Sequence, residues 1–162
     1  PNIYDRRPGQ IALSDEAIEI QAREDLNNDQ EIASQSHINI NAYNGTVLVS
    51  GETPVPGLHE KIIHKIRLIK EVKRVLDEIE IAPPTHPASH YNDSTITNRI
   101  KTELDKIVIP VGFKSDNIKI FTENGHVYLM GLVYKEEADV VTKAVQGVQG
   151  VSKISMMFEY LR

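Results

Sequence analysis

The sequence predicts an α+β protein made of two tandem α-β-β-α-β modules, each a small three-stranded mixed sheet with two helices on one face. The first observation is a repeat, because residues 38–51 and 118–131 both read as two alternating apolar runs around an Asn-Gly pair. The second is a helical apolar stripe before and after each repeat. The third is a further alternating run that ends each copy.

Each repeat predicts a β-hairpin. The pairs Asn44-Gly45 and Asn124-Gly125 favour two-residue type I′ turns, because asparagine and glycine accept positive φ angles. Both second strands are predicted to close on a glycine, Gly51 and Gly131, which suits a sharp exit or a close backbone approach. All six residues are interpreted as architectural.

The helices are predicted from polar starts and from apolar residues three or four apart. The first helices begin near Ser14 and Asn92, since these are residue types that favour N-caps. Their stripes are Ile18, Ala22 and Leu26 in the first copy, and Ile96, Ile100 and Leu104 in the second. The second helices carry Leu58, Ile62, Ile66 and Ile69, and then Val141, Val145 and Val148. The last strands are residues 75–81 and 154–160, and right-handed crossovers place the helices of a module on one sheet face.

These elements divide the chain into four parts. Residues 1–13 have no periodicity and are predicted to be a tether. Residues 14–81 form module one, and residues 93–162 form module two. Between them, residues 82–92 contain three prolines and are interpreted as a semi-rigid linker.

Composition excludes several function classes. The 162 residues include no Cys, which removes disulfides, thiolate metal sites and thiol nucleophiles. A net charge of −5 disfavours nucleic acid, which normally requires a basic surface. The six histidines have no third ligand at a fixed spacing, so no metal and no cofactor is predicted. Without a nucleophile elbow, a phosphate loop or a zinc-protease motif, the chain is not expected to be an enzyme.

The two modules differ in charge. Residues 15–40 carry seven acidic side chains and one base, Arg23, so an anionic surface should repel this part of module one. Residues 93–120 carry five bases and four acids. Module two is therefore the module predicted to approach an anionic surface.

Module two also has an apolar loop where module one is polar. Residues 107–113, between Lys106 and Lys114, have the composition of an interfacial wedge. The same loop could instead bury itself against the other module or against another subunit. Self-association is a second expectation, because Tyr128 and Met130 face away from the helices and the short sheets have open edges.

The doubled unit resembles the BON domain, and most closely the dual-BON outer-membrane lipoproteins of Gram-negative bacteria. The residues that carry the resemblance are Asn44–Gly51, Glu123–Val133, Val148–Ile154 and, ahead of module one, Asp5-Arg6-Arg7. In module one the third signature is weakened to Ile69–Val75, and the aromatic anchor that some relatives have at the start of module two's first helix is replaced by Thr95.

The resemblance implies a periplasmic protein that is tethered to the outer membrane by a lipid on an N-terminal Cys, which this chain lacks, and that supports envelope integrity. It also implies that module two's first helix recognises anionic phospholipid. The predicted lipid- or partner-binding residues are Thr95, Ile96, Arg99, Ile100, Lys106, Ile107, Val108, Ile109, Val111, Phe113 and Lys114. The alternative is a module that binds other envelope proteins or forms a homo-oligomer, without direct lipid recognition.

Overall fold

The computed structural model describes residues 5–84, 89–108 and 112–162, with backbone only for residues 89–91. The chain forms two compact units. One comprises residues 8–86 and contains module one; the other comprises residues 87–162 together with residues 1–7 and contains module two.

Module one has three helices and three strands. They are α1 (Gly9–Asn27), α2 (Gln30–Gln35), β1 (His37–Tyr43), β2 (Thr46–Thr53), α3 (Pro56–Arg67) and β3 (Arg74–Ile81). The strand order is β1-β2-β3; β2 pairs antiparallel with β1 and parallel with β3. The turn residues Asn44 and Gly45 have φ angles of 52° and 78°, as a type I′ turn requires.

Module two repeats this arrangement with one difference. Its elements are α4 (Ser89–Asp105), β4 (Ile118–Glu123), β5 (His126–Val133), α5 (Lys135–Gln146) and β6 (Lys153–Tyr160), with a 3₁₀ turn at Ser115–Asn117 in place of α2. Its strand order is β4-β5-β6, again antiparallel and then parallel. The predicted α+β fold with two three-stranded mixed sheets is confirmed.

Each module has its own apolar core between the helices and one sheet face. In module one the stripes of α1 and α3 pack on alternate residues of the strands, among them Ile40, Val47 and Val49. In module two, the stripes of α4 and α5 pack on Val127 and Leu129 in the same way. Alternation of strand side chains explains this one-sided packing.

Several element ends differ from those that the sequence predicts. Helix α1 begins at Gly9 and α4 at Ser89, ahead of the predicted starts at Ser14 and Asn92. The second strands continue past Gly51 and Gly131 to Thr53 and Val133. Gly51 is nevertheless required, since its φ is 111° and a Cβ there would lie 1.9 Å from the backbone oxygen of His37.

The sequence also fails to predict α2. In this helix Asp29 is the N-cap, and its carboxylate accepts a hydrogen bond from the backbone N–H of Ile32. Ile32 is buried in the core of module one. Six residues are too few to show helical periodicity, so the segment reads as a polar loop.

The expectation that Tyr128 and Met130 lie open on the outer sheet face is wrong. They are only 5% and 1% exposed. The ring of His126 stacks on Tyr128 at a centroid distance of 4.0 Å, and Phe121 on the neighbouring strand stacks at 5.9 Å. These rings cover part of the tyrosine, and cross-strand aromatic pairs stabilise such a sheet face. The exposed patch that motivated self-association is therefore absent from these two positions.

Candidate functional site

An open groove of about 620 Å³ lies on module two, where the first half of α4 meets the hairpin turn and the loop between α5 and β6. Most of the residues that line it are polar: Asn92, Asp93, Thr95, Ile96, Arg99, Asn124, Gly125, Gln149, Gly150 and Ser152. Hydroxyl, amide and guanidinium groups thus converge on one concave surface. Such a surface suits a small polar or anionic group.

A buried aspartate lies at the base of this groove. Asp93 is 5% exposed, and its two carboxylate oxygens accept hydrogen bonds from the backbone N–H groups of Asn124 (2.9 Å) and Gly125 (3.0 Å). The carboxylate therefore ties α4 to the type I′ turn. Because both oxygens are turned inward to these bonds, the negative charge is partly neutralised by backbone dipoles.

Gly150 allows the helix to approach the loop. Its φ is 99°, and a Cβ at this position would lie 2.9 Å from Cγ1 of Ile96. A side chain here would force the Ile96 side chain to shift, besides straining the backbone at this positive φ. The closeness of Gly150 to α4 thus shapes one wall of the groove.

Arg99 supplies the positive charge. Its side chain is exposed, and Nη1 donates a hydrogen bond of 3.3 Å to the backbone oxygen of Gln149 across the groove. A guanidinium has five N–H donors in a planar fork, so one contact with a carbonyl leaves most of them for a ligand. Arg99 is the cationic side chain among the residues that line this groove.

Module one has a groove at the same place with different chemistry. Its lining includes Gln21, Asp25, Lys65, Lys70 and Glu71. Asp15 makes the same pair of hydrogen bonds as Asp93, accepting from the backbone N–H groups of Asn44 (2.6 Å) and Gly45 (2.8 Å). In each module this pair of bonds is a brace between the first helix and the hairpin turn.

Counting from each brace along its first helix places Gln21 where module two has Arg99. Counting from the end of the second helix places Glu71 where module two has Gly150, and Glu71 also has a positive φ, 77°. The groove of module one therefore has a carboxylate and an amide where that of module two has a glycine and a guanidinium.

The predicted site residues on α4 separate into two groups. Thr95 and Arg99 line the groove, with Thr95 partly and Arg99 well exposed. Ile96 and Ile100 are 6% and 0% exposed and belong to the core. Ile100 has no exposed surface, so its prediction as a direct contact residue is wrong, because the helical stripe to which it belongs faces the sheet. Ile96 is mostly buried by the same stripe but also lines the groove, so it stays a predicted contact residue.

The apolar loop is likewise only partly available. Val108 is 76% exposed, and Lys106 and Lys114 are exposed on either side of the loop. Phe113 is 2% exposed and lies in the core, and Ile107 packs against that core. Ile109 and Val111 fall outside the described residues.

The burial of Phe113 has a physical reason. Module one fills its core from the segment between first helix and hairpin with Ile32 of α2, and the described residues of the same segment in module two form no such helix. Among those described residues, Phe113 is the buried apolar side chain. The prediction that Phe113 and Ile107 form an exposed wedge outside the core is therefore wrong.

Two features of module two were missed from the sequence. One is the brace, whose signal is an acidic residue near the start of each first helix, Asp15 and Asp93, at nearly the same distance before each Asn-Gly turn. The other is an ion pair between Arg6 and Glu137, for which sequence spacing gives no signal. In the described parts of the chain, no helix has the length and apolar character needed to cross a membrane.

Comparison with known proteins agrees with the repeat. The BON domain matches residues 14–83 and 92–162. The outer membrane lipoprotein DolP of Haemophilus influenzae is 26% identical over 157 residues, covering 97% of this chain and 80% of its own length. The 21 kDa hemolysin of Actinobacillus pleuropneumoniae is 28% identical over 158 residues, covering 98% and 80%.

A solved structure of CdsD, a structural protein of the type III secretion system of Chlamydia trachomatis, covers 88% of this chain and 91% of its own. At 12% identity and a TM-score of 0.34, it adds no argument about the fold. The two family matches span both modules and nearly the whole of each sheet and its helices. The chain therefore belongs to the BON domain family, as a tandem of two such domains.

Proposed function

We propose that this protein is a non-enzymatic, envelope-associated protein of the periplasm that binds anionic phospholipid through module two and acts as a scaffold at the outer membrane. Family membership and a relative named as an outer membrane lipoprotein support the location. A tether to the membrane ahead of residue 1 is part of the same proposal.

The observation that carries the lipid proposal is Arg99 in the groove of module two. A guanidinium binds a phosphate oxygen pair through two parallel hydrogen bonds, which makes arginine well suited to a phospholipid headgroup. Thr95 and Ser152 bring hydroxyl groups to the same groove. The nearby carboxylate of Asp93 is buried and accepts two backbone hydrogen bonds, which offset part of its repulsion.

Module one serves as an internal comparison. Its groove has Gln21 in place of Arg99, and the carboxylates of Asp25 and Glu71 lie among its lining residues. A phosphate would lose the guanidinium there and would meet two carboxylates beside the ammonium groups of Lys65 and Lys70, which lack the planar fork of arginine. The proposal therefore assigns headgroup binding to module two, whose groove has the guanidinium.

Val108 supports a shallow contact with the membrane interface. It is 76% exposed and lies between two exposed lysines, Lys106 before it and Lys114 after it. Lysines beside an apolar tip match the pattern of interfacial segments, in which cations meet anionic headgroups and the apolar side chain enters the acyl boundary. A single valine contributes little area, so this contact is secondary to the groove.

The test is flotation with vesicles of phosphatidylcholine, with and without phosphatidylglycerol, at low and at high salt. We expect binding that requires phosphatidylglycerol and weakens with salt. Arg99→Gln, which places the residue of module one in module two, should weaken binding at least about fivefold, since one Lys or Arg near an anionic surface contributes roughly 1 kcal/mol.

The matched control is Arg23→Gln. Arg23 is also exposed, lies on the first helix of module one, and donates to a backbone oxygen, that of Ile40, at 3.2 Å. The substitution changes net charge by the same amount. Equal losses for Arg23→Gln and Arg99→Gln would show a general charge effect and overturn the groove. Binding that ignores phosphatidylglycerol, or no binding, would favour the protein-interaction alternative.

A further inference from the structure

The described part of the N-terminal segment packs on module two, although module one follows it directly in sequence. The two guanidinium nitrogens of Arg6 contact the two carboxylate oxygens of Glu137, Nη1 to Oε1 at 2.5 Å and Nη2 to Oε2 at 2.7 Å. Nη1 also donates to the backbone oxygen of Leu132 at 3.0 Å, and the guanidinium carbon lies 5.9 Å from the ring centroid of Tyr134. This is a two-pronged ion pair beside an aromatic ring.

The carboxylate that receives Arg6 is prepared by the fold. Glu137 occupies the third position of α5, and its Oε1 accepts from the backbone N–H of Tyr134, the N-cap residue, at 2.9 Å. Its side chain is only 3% exposed. A carboxylate at a helix N-terminus is favoured by the helix dipole, and the hydrogen bond from Tyr134 helps to orient it.

Module one has no such site. Its second helix, α3, has Val55 as N-cap and therefore Leu58 at the third position, where module two has Glu137. Leu58 is 2% exposed and lies in the core of module one. The site thus distinguishes the two otherwise repeated modules, which explains why the segment pairs with the distant one.

The segment is also shaped locally for this contact. Arg7 folds back on Asp5, with its backbone N–H and Nε each 3.0 Å from Oδ1 and its Nη2 2.6 Å from Oδ2. Arg7 is thus paired within the segment, whereas the side chain of Arg6 extends to Glu137. The three residues therefore form a compact turn that presents one arginine to module two.

We propose that module two carries an arginine-binding site, formed by Glu137, the carbonyl of Leu132 and the ring of Tyr134, whose ligand is Arg6 of the chain's own N-terminal arm. The arm is defined here as residues 5–7. Docking of the arm is a specific recognition that module one cannot perform. This inference does not depend on phospholipid binding.

The test uses trypsin on the full chain, because trypsin cuts after Arg6 but not at Arg7, which Pro8 follows. The rate of this single cut is read by intact mass and divided by the rate for a peptide of residues 1–12. Glu137→Gln should raise the relative rate at least about tenfold, the size of one charge-assisted hydrogen bond. The control is Glu136→Gln, which replaces an exposed carboxylate by an amide in the same helical turn. This variant should keep the relative rate of the parent.

Equal rates for Glu137→Gln and the parent would overturn the proposal. A second variant covers the case in which Glu137→Gln fails to fold. Arg6→Gln leaves module two unchanged, and chymotrypsin then reports on the arm by cutting after Tyr4. The same relative rate should rise at least about tenfold, and a rate equal to that of the parent would again overturn docking.

Discussion

Replacing Asp93 with asparagine should destabilise module two strongly. The carboxylate of Asp93 is 5% exposed and accepts from the backbone N–H groups of Asn124 and Gly125. An asparagine keeps one acceptor oxygen, but its amide group meets the second N–H donor to donor. Hydrogen bonds to charged groups contribute about 1.5–3 kcal/mol each, and a buried donor left unsatisfied costs a similar amount.

The expected loss in free energy of unfolding is therefore about 1.5–3 kcal/mol for module two. For a module of this size it corresponds to a fall in Tm of roughly 6–24 °C. Hydrogen exchange followed by mass spectrometry resolves the modules, because it reports on peptides from each one separately. Protection should fall in module two and remain unchanged in module one.

The chain offers a replicate and a control. Asp15→Asn should produce the same loss in module one and spare module two, because Asp15 makes the equivalent bonds to Asn44 and Gly45. Asp116→Asn makes the same chemical change at an exposed position and should alter stability by less than about 0.5 kcal/mol. If Asp93→Asn behaves like Asp116→Asn, the brace does not stabilise the module and the reasoning is refuted.

Three further outcomes are expected. Glu71→Gly should raise the stability of module one by about 0.5–1 kcal/mol in urea unfolding, because Glu71 has a φ of 77° that glycine adopts without strain; a loss would contradict this. Phe113→Ser should cost about 3–5 kcal/mol, whereas Val108→Ser should cost less than about 0.5 kcal/mol, since only the first is in the core; equal effects would place both in the same environment. The hydrogen bonds from its arginine partner, outweighing burial, hold the pKa of Glu137 below the usual 4.5, so its contribution is complete above that pH and is lost as pH falls through the lowered pKa. As pH falls through that range, the Tm of Glu137→Gln should therefore fall less than the Tm of the parent. Equal falls in Tm would assign the acid-induced loss of stability to other groups.

The fold was predictable because its determinants are local. The Asn-Gly turns, the alternating strands and the stripes of the longer helices all act within a few residues. The duplication strengthened each of these signals, since a weak pattern in one module could be read beside its copy. Helix α2 was not predicted because it is short and its one buried side chain, Ile32, follows a polar cap.

The site was harder to predict, because burial depends on partners that are distant in sequence. Phe113 and Val108 lie in one apolar loop, yet one is 2% and the other 76% exposed. Thr95 and Arg99 line the groove and stay predicted contact residues, whereas Ile96 between them packs in the core. Composition detects an apolar loop but does not determine which of its residues fills a vacancy in the core.

The spacing of the contacts bears on how the chain assembles as it is synthesised. Each brace joins residues 29 to 32 positions apart, and parallel pairs such as Thr46 with Arg74 also fall within one module, so each module can close its contacts at a small entropic cost. The contact between Arg6 and Glu137 spans 131 positions. Arg6 is synthesised before either module, and Glu137 only after module one and the first three elements of module two. The arm must therefore wait, without its site, until module one has had time to fold and module two is nearly complete.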